Sequence, residues 1–396
     1  MRRFPRPTPR GPAPALVVAA PILAMLGVIV GSLTPGIASA DEAAPPPASG
    51  AELYRAACAS CHGANGAGAP PSAVGFATPL PDFTDCNFAP REPDSDWLAV
   101  IHGGGPARAF DPMMPAFGEV LSDREAERVL AHVRGFCPDP AWPRGDLNLP
   151  RPMFTEKAYP EDEAVFTLLS SVEGDGVVEG EIVYENRFGA RNQWELVVPF
   201  GWEEREVVPA DPDGDTTDWE ASVGDVAVGA KRAIYHDLDK GRILSIAGEV
   251  ILPTGDQDEG FGSGTVKVEP FVSFGQLLPA DAFLHAQVAL ELPVDEDRAQ
   301  EEAFLRLALG KTFTEGRWGR SWSPMIEVLG ARELTAGEDD QWDVAPQFQV
   351  TLNKRQNIMA DLAVRIPVTD SDQRDTQVLV YFLWDWFDGG LLEGWK

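Results

Sequence analysis

The sequence predicts two domains of opposite class: a small all-α unit over residues 50–138, followed by an antiparallel all-β barrel of about twelve strands over residues 161–396. Three observations predict this. Two proline-rich stretches, 41–49 and 139–160, read as linkers and bracket a span of about 90 residues. Apolar residues inside that span recur at helical spacing, whereas beyond Glu161 they alternate with polar ones at a period of two, with no helix signal between the segments.

Residues 1–40 read as an export signal. Arg2, Arg3, Arg6 and Arg10 precede an apolar stretch from Ala13 to Leu33, and Ala38-Ser39-Ala40 supplies the small residues of a cleavage site, leaving Asp41 as the new N-terminus. The apolar stretch is also long enough to span a bilayer if it is retained. Either way the rest of the chain is expected outside the cytoplasm. The formal net charge is −30, most of it on residues 139–396, which argues against nucleic acid as a partner.

Three helices are expected in the first unit. The first runs from about Ala51 to Ser60, with Leu53, Tyr54 and Ala57 on one face and Ser49-Gly50 able to cap it. A second, short one lies around Asp96 to His102 and stops at Gly103-Gly104-Gly105. The third opens with a Ser-x-x-Glu capping box, Ser122 and Glu125, carries the stripe Ala126, Val129, Leu130 and Val133, and ends at Gly135.

Cys58-Ala59-Ser60-Cys61-His62 is the attachment signature for c-type haem. Two thiols three residues apart near a helix end can each add to one haem vinyl group, and the adjacent histidine then faces the iron. A zinc site would need a second close Cys/His pair, and Cys86 and Cys137 stand apart from one another. A thioredoxin-like pair would sit on a βαβ unit, which the surrounding pattern lacks. One covalent haem c is therefore the expected cofactor. In an oxidising compartment the two remaining cysteines, Cys86 and Cys137, are a candidate disulfide, the alternative being two buried thiols.

A thioether is the expected sixth iron ligand if the haem carries electrons at high potential. Met113 and Met114 are available, with His102 or His132 as a second histidine in the alternative. The run Met114-Pro115-Ala116-Phe117, followed by a capped helix, resembles the class I cytochrome c family, in which Met-Pro-x-Phe precedes the C-terminal helix. The resemblance covers residues 50–138. It implies Met114 as axial ligand opposite His62, and a fold in which first and last helices cross, Leu53 and Tyr54 meeting Leu130 and Val133. With both axial positions filled, the haem is expected to carry electrons and not to act as an enzyme.

In the second domain Trp342, Val344, Pro346, Phe348, Val350 and Leu352 share one face of an extended segment, and Asp343, Gln347, Gln349 and Thr351 the other. Ile358 to Ile366, Val378 to Trp386, Leu284 to Leu290 and Trp194 to Phe200 repeat the pattern, separated by turns such as Asn353-Lys354 and Asp213-Gly214. Charged polar faces (Glu249, Lys267, Asp361, Arg365) and aromatics near strand ends (Tyr381, Trp384, Trp386, Phe387) favour an outer-membrane barrel over a soluble sandwich. Trp395, followed by Lys396, is similar to the terminal aromatic of such barrels. The stretches Val223-Gly224-Asp225-Val226, Leu252-Pro253-Thr254-Gly255-Asp256 and Gly262-Ser263-Gly264 resemble the outer-membrane family named for phenol meta-pathway degradation, often called transporters.

Together these readings predict electron transfer by a periplasmic monohaem unit held at the outer membrane, with the lipid bilayer and a basic redox protein as partners. The alternatives are a porin or transporter with an accessory haem, and a cytochrome-linked oxidoreductase subunit. Residues 139–396 offer no dinucleotide loop, metal cluster or nucleophile constellation for the latter, and their two histidines, His236 and His285, are expected on strand faces.

Overall fold

The computed structural model describes residues 48–75, 80–172, 177–206, 217–257, 260–335, 337 and 339–386. The expected leader, most of the first linker, the Asp213-Gly214 turn, and Phe387, Trp395 and Lys396 lie outside the described residues.

The first part of the chain is helical. Its elements are α1 (Gly50–Ala57), α2 (Ala59–His62), α3 (Pro71–Val74), α4 (Asp94–Gly103) and α5 (Asp123–Arg134). The first expected helix is thus two pieces that meet at Cys58, and α3 is a single turn with proline in its first position, too short to show a period. Both capping boxes form: the Glu52 carboxylate accepts from the Ser49 N–H at 2.8 Å, and Glu125 accepts from the Ser122 N–H at 2.9 Å.

Helix α1 lies so close to α5 that a Cβ on Gly50 would come within 2.0 Å of the Arg128 carbonyl oxygen. Tyr54, Val129 and Val133 are buried together with Phe83, and Leu53 packs against them. Leu130 is buried on the same helix but outside this cluster, so Tyr54 meets Val129 and Val133 where the sequence suggested Leu130 and Val133. Cys86 and Cys137 form a disulfide with their Cα atoms 5.4 Å apart, tying the segment after α3 to the end of α5.

The rest is one antiparallel sheet of β1 (Glu163–Ser171), β2 (Val177–Phe188), β3 (Asn192–Glu206), β4 (Thr217–Val223), β5 (Ala227–Asp237), β6 (Arg242–Ile251) and β7 (Lys267–Leu277), continued by β8 (Ala282–Pro293), β9 (Glu302–Lys311), β10 (Phe313–Thr314), β11 (Ser321–Glu333), β12 (Gln341–Thr351), β13 (Ile358–Pro367) and β14 (Gln377–Asp385). Pairing runs in chain order. Strand β9 pairs with β11, and β14 pairs with β1 from Glu163↔Asp385 to Ser171↔Gln377, so the sheet closes on itself. β4 and β5 pair with successive halves of β3, Phe200–Glu206 and Asn192–Val197, and are two pieces of one interrupted stave. β10 is a two-residue piece beside β11. Counted this way the wall has twelve staves, as expected.

The interruption between β4 and β5 is where the three turn-rich stretches meet. Asp225 accepts from the Gly255 N–H at 3.0 Å and from the N–H and hydroxyl of Ser263 at 2.7 and 2.6 Å. The Thr254 hydroxyl donates to the Gly224 carbonyl and accepts from the Val226 N–H, both at 2.9 Å. A stave that stops short leaves backbone groups unpaired, and this knot satisfies them.

Alternation sorts the side chains as expected. Phe166, Ile246, Val288, Phe348 and Phe382 point outward and are exposed, while Glu185, Gln287, Glu327, Asp343 and Asp361 point into the lumen and are buried. Two aromatics depart from the expected interfacial belt. Tyr381 faces inward and its hydroxyl donates to the Arg151 carbonyl at 2.7 Å; Trp386 is buried with its ring 5.6 Å from that of Tyr184.

Residues 139–160, expected as a linker, do connect the two parts, but from Gly145 onward they are packed inside the mouth of the barrel. Gly145 enters against the helical unit: its N–H donates to the Pro90 carbonyl at 2.7 Å, and a Cβ there would lie 1.8 Å from the Arg91 carbonyl oxygen. The helical unit itself rests on the hairpin turns at the same end. Arg108 donates to the Trp318 carbonyl at 2.6 Å, the Arg355 guanidinium lies 5.0 Å from the Phe110 ring, Arg191 donates to the Ala141 carbonyl at 2.8 Å, and Arg317 pairs with Asp123.

Candidate functional site

Helix α2 is one turn long, and that turn carries Cys58 at its N-cap, Cys61 within it and His62 at its end. Gly63, at φ +75°, lets the chain leave directly after the histidine. The Tyr54 hydroxyl fixes this exit by donating to the Gly63 carbonyl at 2.8 Å. The His62 ring stacks on Phe83 with centroids 4.9 Å apart, and Phe83 meets Trp97 at 5.2 Å.

These groups fit a covalently held haem. Cys58 and Cys61 are free thiols, in contrast to the bonded pair Cys86 and Cys137. The buried His62 Nδ1 finds no hydrogen-bond partner among the described residues. Burial pushes the His62 pKa down to about 4, so the ring is neutral at physiological pH, the form that binds a metal. Burial, and then the neighbouring Cys61, push the Cys58 thiol up to about 11. A dithiol redox pair depends on a thiol whose pKa is lowered, so this environment opposes the thioredoxin-like alternative.

The methionines lie in the turn between α4 and α5. Met113 is 43 % exposed and Met114 is half-buried. The backbone of Met114 is pinned: its carbonyl accepts from the Gly105 N–H at 3.0 Å, and Phe117 donates to the Ile101 carbonyl at 2.9 Å. The glycine run after α4 makes this approach possible. Gly104 sits at φ +71°, and a Cβ on it would fall 2.6 Å from the Met114 carbonyl oxygen. Of the alternative ligands, His102 has Nε2 3.1 Å from Asp123, and His132 packs edge-on against Tyr54 with centroids 5.2 Å apart. In the barrel, His285 is buried with Nε2 3.0 Å from the Pro150 carbonyl, and His236 lies on β5, both on strands as expected.

Residues 45–133 match the family model of cytochrome c oxidase, cbb3-type, subunit III, and residues 177–373 match that of the MetA-pathway of phenol degradation. Both resemblances read from the sequence hold. Such a cytochrome c segment implies a haem c cofactor, and here it precedes a closed twelve-stave barrel. Among solved structures, the COG4313 outer membrane channel from Pseudomonas putida F1 is similar at 11 % identity and a TM-score of 0.42, over 60 % of this chain and 99 % of that one. The KdgM porin aligns at 10 % identity and 0.37, over 57 % and 99 %. The beta domain of the Bordetella autotransporter BrkA aligns at 13 % and 0.34, over 57 % and 98 %. No curated protein matches the chain.

Sequence reasoning missed what supports the site. Phe83 and Trp97 carry no local signal, and the Gly103-Gly104-Gly105 run signals only a helix stop, since each acquires its role here only when distant segments meet.

Proposed function

We propose that the chain is an electron carrier: one haem c, bonded through Cys58 and Cys61 with His62 and Met114 as axial ligands, on a unit that the barrel anchors at the periplasmic face of the outer membrane. The observations that carry this are a free Cys58/Cys61 turn ending in a neutral, half-buried His62, and a half-buried Met114 whose carbonyl accepts from the Gly105 N–H just after α4. A haem bound there would supply one-electron transfer, and His62 and Met114 are the residues that would hold its iron, the thioether favouring a higher potential. The protein's own contribution is to enclose the group among Tyr54, Phe83, Ile101 and Leu121 and to hold the ligand turn in place. With two axial ligands no position is left for substrate, which supports a carrier over an enzyme. The outward apolar faces of a closed barrel support the membrane anchor, since in lipid only helices and closed barrels satisfy their backbones.

Denaturing gels stained for haem after acid-acetone extraction test the attachment. The stain persists in the wild type made with a functioning maturation system and vanishes in Cys58→Ala/Cys61→Ala. Recovery of the stained band in the soluble periplasmic fraction, and not with the outer membrane, overturns the anchor.

A transport reading has one observation in its favour, a lumen cavity of about 580 Å³ lined by Thr167, Glu179, Glu181 and Phe261. Solute flux into liposomes that persists in Cys58→Ala supports it.

A further inference from the structure

Around the wall, the ladder sets acid beside acid on the inner face. Asp385 of β14 stands opposite Glu163 of β1, Glu163 opposite Glu185 of β2, and Glu185 opposite Glu195 of β3. Gly229 of β5 comes next, followed by Glu249 of β6, which stands opposite Glu269 of β7. On β8, β9 and β11 the register Glu291↔Glu302↔Glu333 carries the acids onward. Like charges directly opposite one another on a sheet repel, so such a row calls for cations.

The wall supplies few. Lys267 pairs with Glu291 at 2.9 Å, whereas Glu195, Glu249, Glu269, Glu302 and Glu333 form no ion pair among the described residues. The deficit is sharpest where Gly229 breaks the row. Glu156, Glu185 and Glu195 each bring a carboxylate oxygen within 4.8 Å of the other two. Glu249 borders the same gap, since a Cβ on Gly229 would lie 2.7 Å from its Cγ. Arg151 is shared among Glu163, Glu185 and Glu156 at 2.6, 3.3 and 3.5 Å, and Lys231 lies 3.8 Å from Glu156. Lys157 is matched by Glu161 at 2.8 Å. Five carboxylates, of Glu156, Glu163, Glu185, Glu195 and Glu249, thus share two cations, Arg151 and Lys231.

Glu195 is the side chain that points to a ligand. It is 3 % exposed, and its Oε1 has no hydrogen-bond partner among the described residues. That atom is aimed over the gap, 2.3 Å from where a Gly229 Cβ would be. An enclosed carboxylate oxygen left without a donor is costly, and glycine leaves room beside it that any side chain would fill. We propose that this place is a calcium site, with Glu156, Glu185 and Glu195 as ligands and Glu249 at its entrance. The donors are all oxygen, which selects a hard cation over zinc, copper or iron. Oxygens up to 4.8 Å apart can share an ion that binds each at about 2.3–2.6 Å, and an enclosed site suits calcium better than magnesium, which gives up its waters reluctantly. Two added positive charges bring the five carboxylates and two cations close to balance.

This inference uses only the closed barrel and is independent of the haem and of the anchor. The test uses full-length, haem-loaded protein in detergent, freed of metal with a chelator and checked for heat-modifiable migration. Calcium chloride is titrated in a calorimeter, and bound metal is measured after gel filtration. Wild type is expected to retain about one calcium ion per chain and to need a higher temperature for its gel shift when the ion is bound. Glu185→Gln/Glu195→Gln is expected to bind roughly tenfold more weakly, while Glu302→Gln/Glu333→Gln, at the far end of the row, keeps the site. Gly229→Ala retains every charge but fills the gap, and is expected to weaken binding by a similar factor. Folded wild type that takes up no calcium overturns the proposal, because protons or Arg151 and Lys231 alone then balance the carboxylates. Equal weakening in both glutamine pairs overturns it in favour of diffuse attraction, and so does unaltered binding in heat-modifiable Gly229→Ala. Failure of the anchor shows in fractionation and not in this titration.

Discussion

Met114 and Gly104 show how far single residues can be read. The Cys-x-x-Cys-His run and the Met-Pro pair stand out in the sequence because the chemistry proposed for them is local: thioether bonding and iron ligation call for fixed residue types at fixed spacing. Replacing Met114 by alanine is expected to abolish the sulfur-to-iron absorbance band and lower the potential, whereas Met113→Ala leaves the band intact; optical spectra of both oxidation states check this. Gly104 was legible only as a helix stop. Its positive φ and the adjacent Met114 carbonyl make it a support for the ligand turn, so Gly104→Ala is expected to cost roughly 1–3 kcal/mol and to weaken the same band, measured by denaturant titration of the haem absorbance.

Among the elements, helices and strands with a strong period were found and those without one were not. α5 was expected from its capping box and stripe, and forms as such; α3 is a single turn with nothing to repeat. Twelve staves were legible because each alternates over about nine residues or more, as a tilted membrane strand must. The interruption at Gly224-Asp225-Val226 was not, because its hydrogen bonds reach some thirty residues along the chain to Thr254, Gly255 and Ser263. Residues 139–160 were read as a linker from their prolines, which forbid a regular ladder but not packing. At this scale the disulfide is the simplest handle. It closes a loop of 51 residues, for which the chain-entropy model gives about 4 kcal/mol. Cys86→Ser/Cys137→Ser is expected to lower the stability of the helical unit by about that amount, read from the urea midpoint of the haem band, without losing the haem.

For the whole molecule, composition gave the division into two parts, but not how the parts are joined. Arg108, Arg317 and Arg355 look like scattered surface charge in the sequence; in the structure all three bind across the boundary between helical unit and barrel turns. The membrane reading makes a sharp demand on the outer face. Ile246 lies mid-stave and outward, and Ile246→Lys is expected to destabilise the barrel by about 2–4 kcal/mol in lipid, measured by equilibrium unfolding. With a net charge of −30, reduction of the haem by a basic donor protein is expected to slow steadily as salt is added; a rate indifferent to ionic strength removes charge attraction from the account.

The junction of β14 with β1 is the one seam in the wall whose two strands are far apart in sequence. The segment ahead of β1 packs on the inner wall, where Ser245 donates to the Ala158 carbonyl and Glu327 accepts from the Thr155 N–H, so this seam encloses it. Such a barrel cannot finish folding without also setting the orientation of the unit that the segment carries.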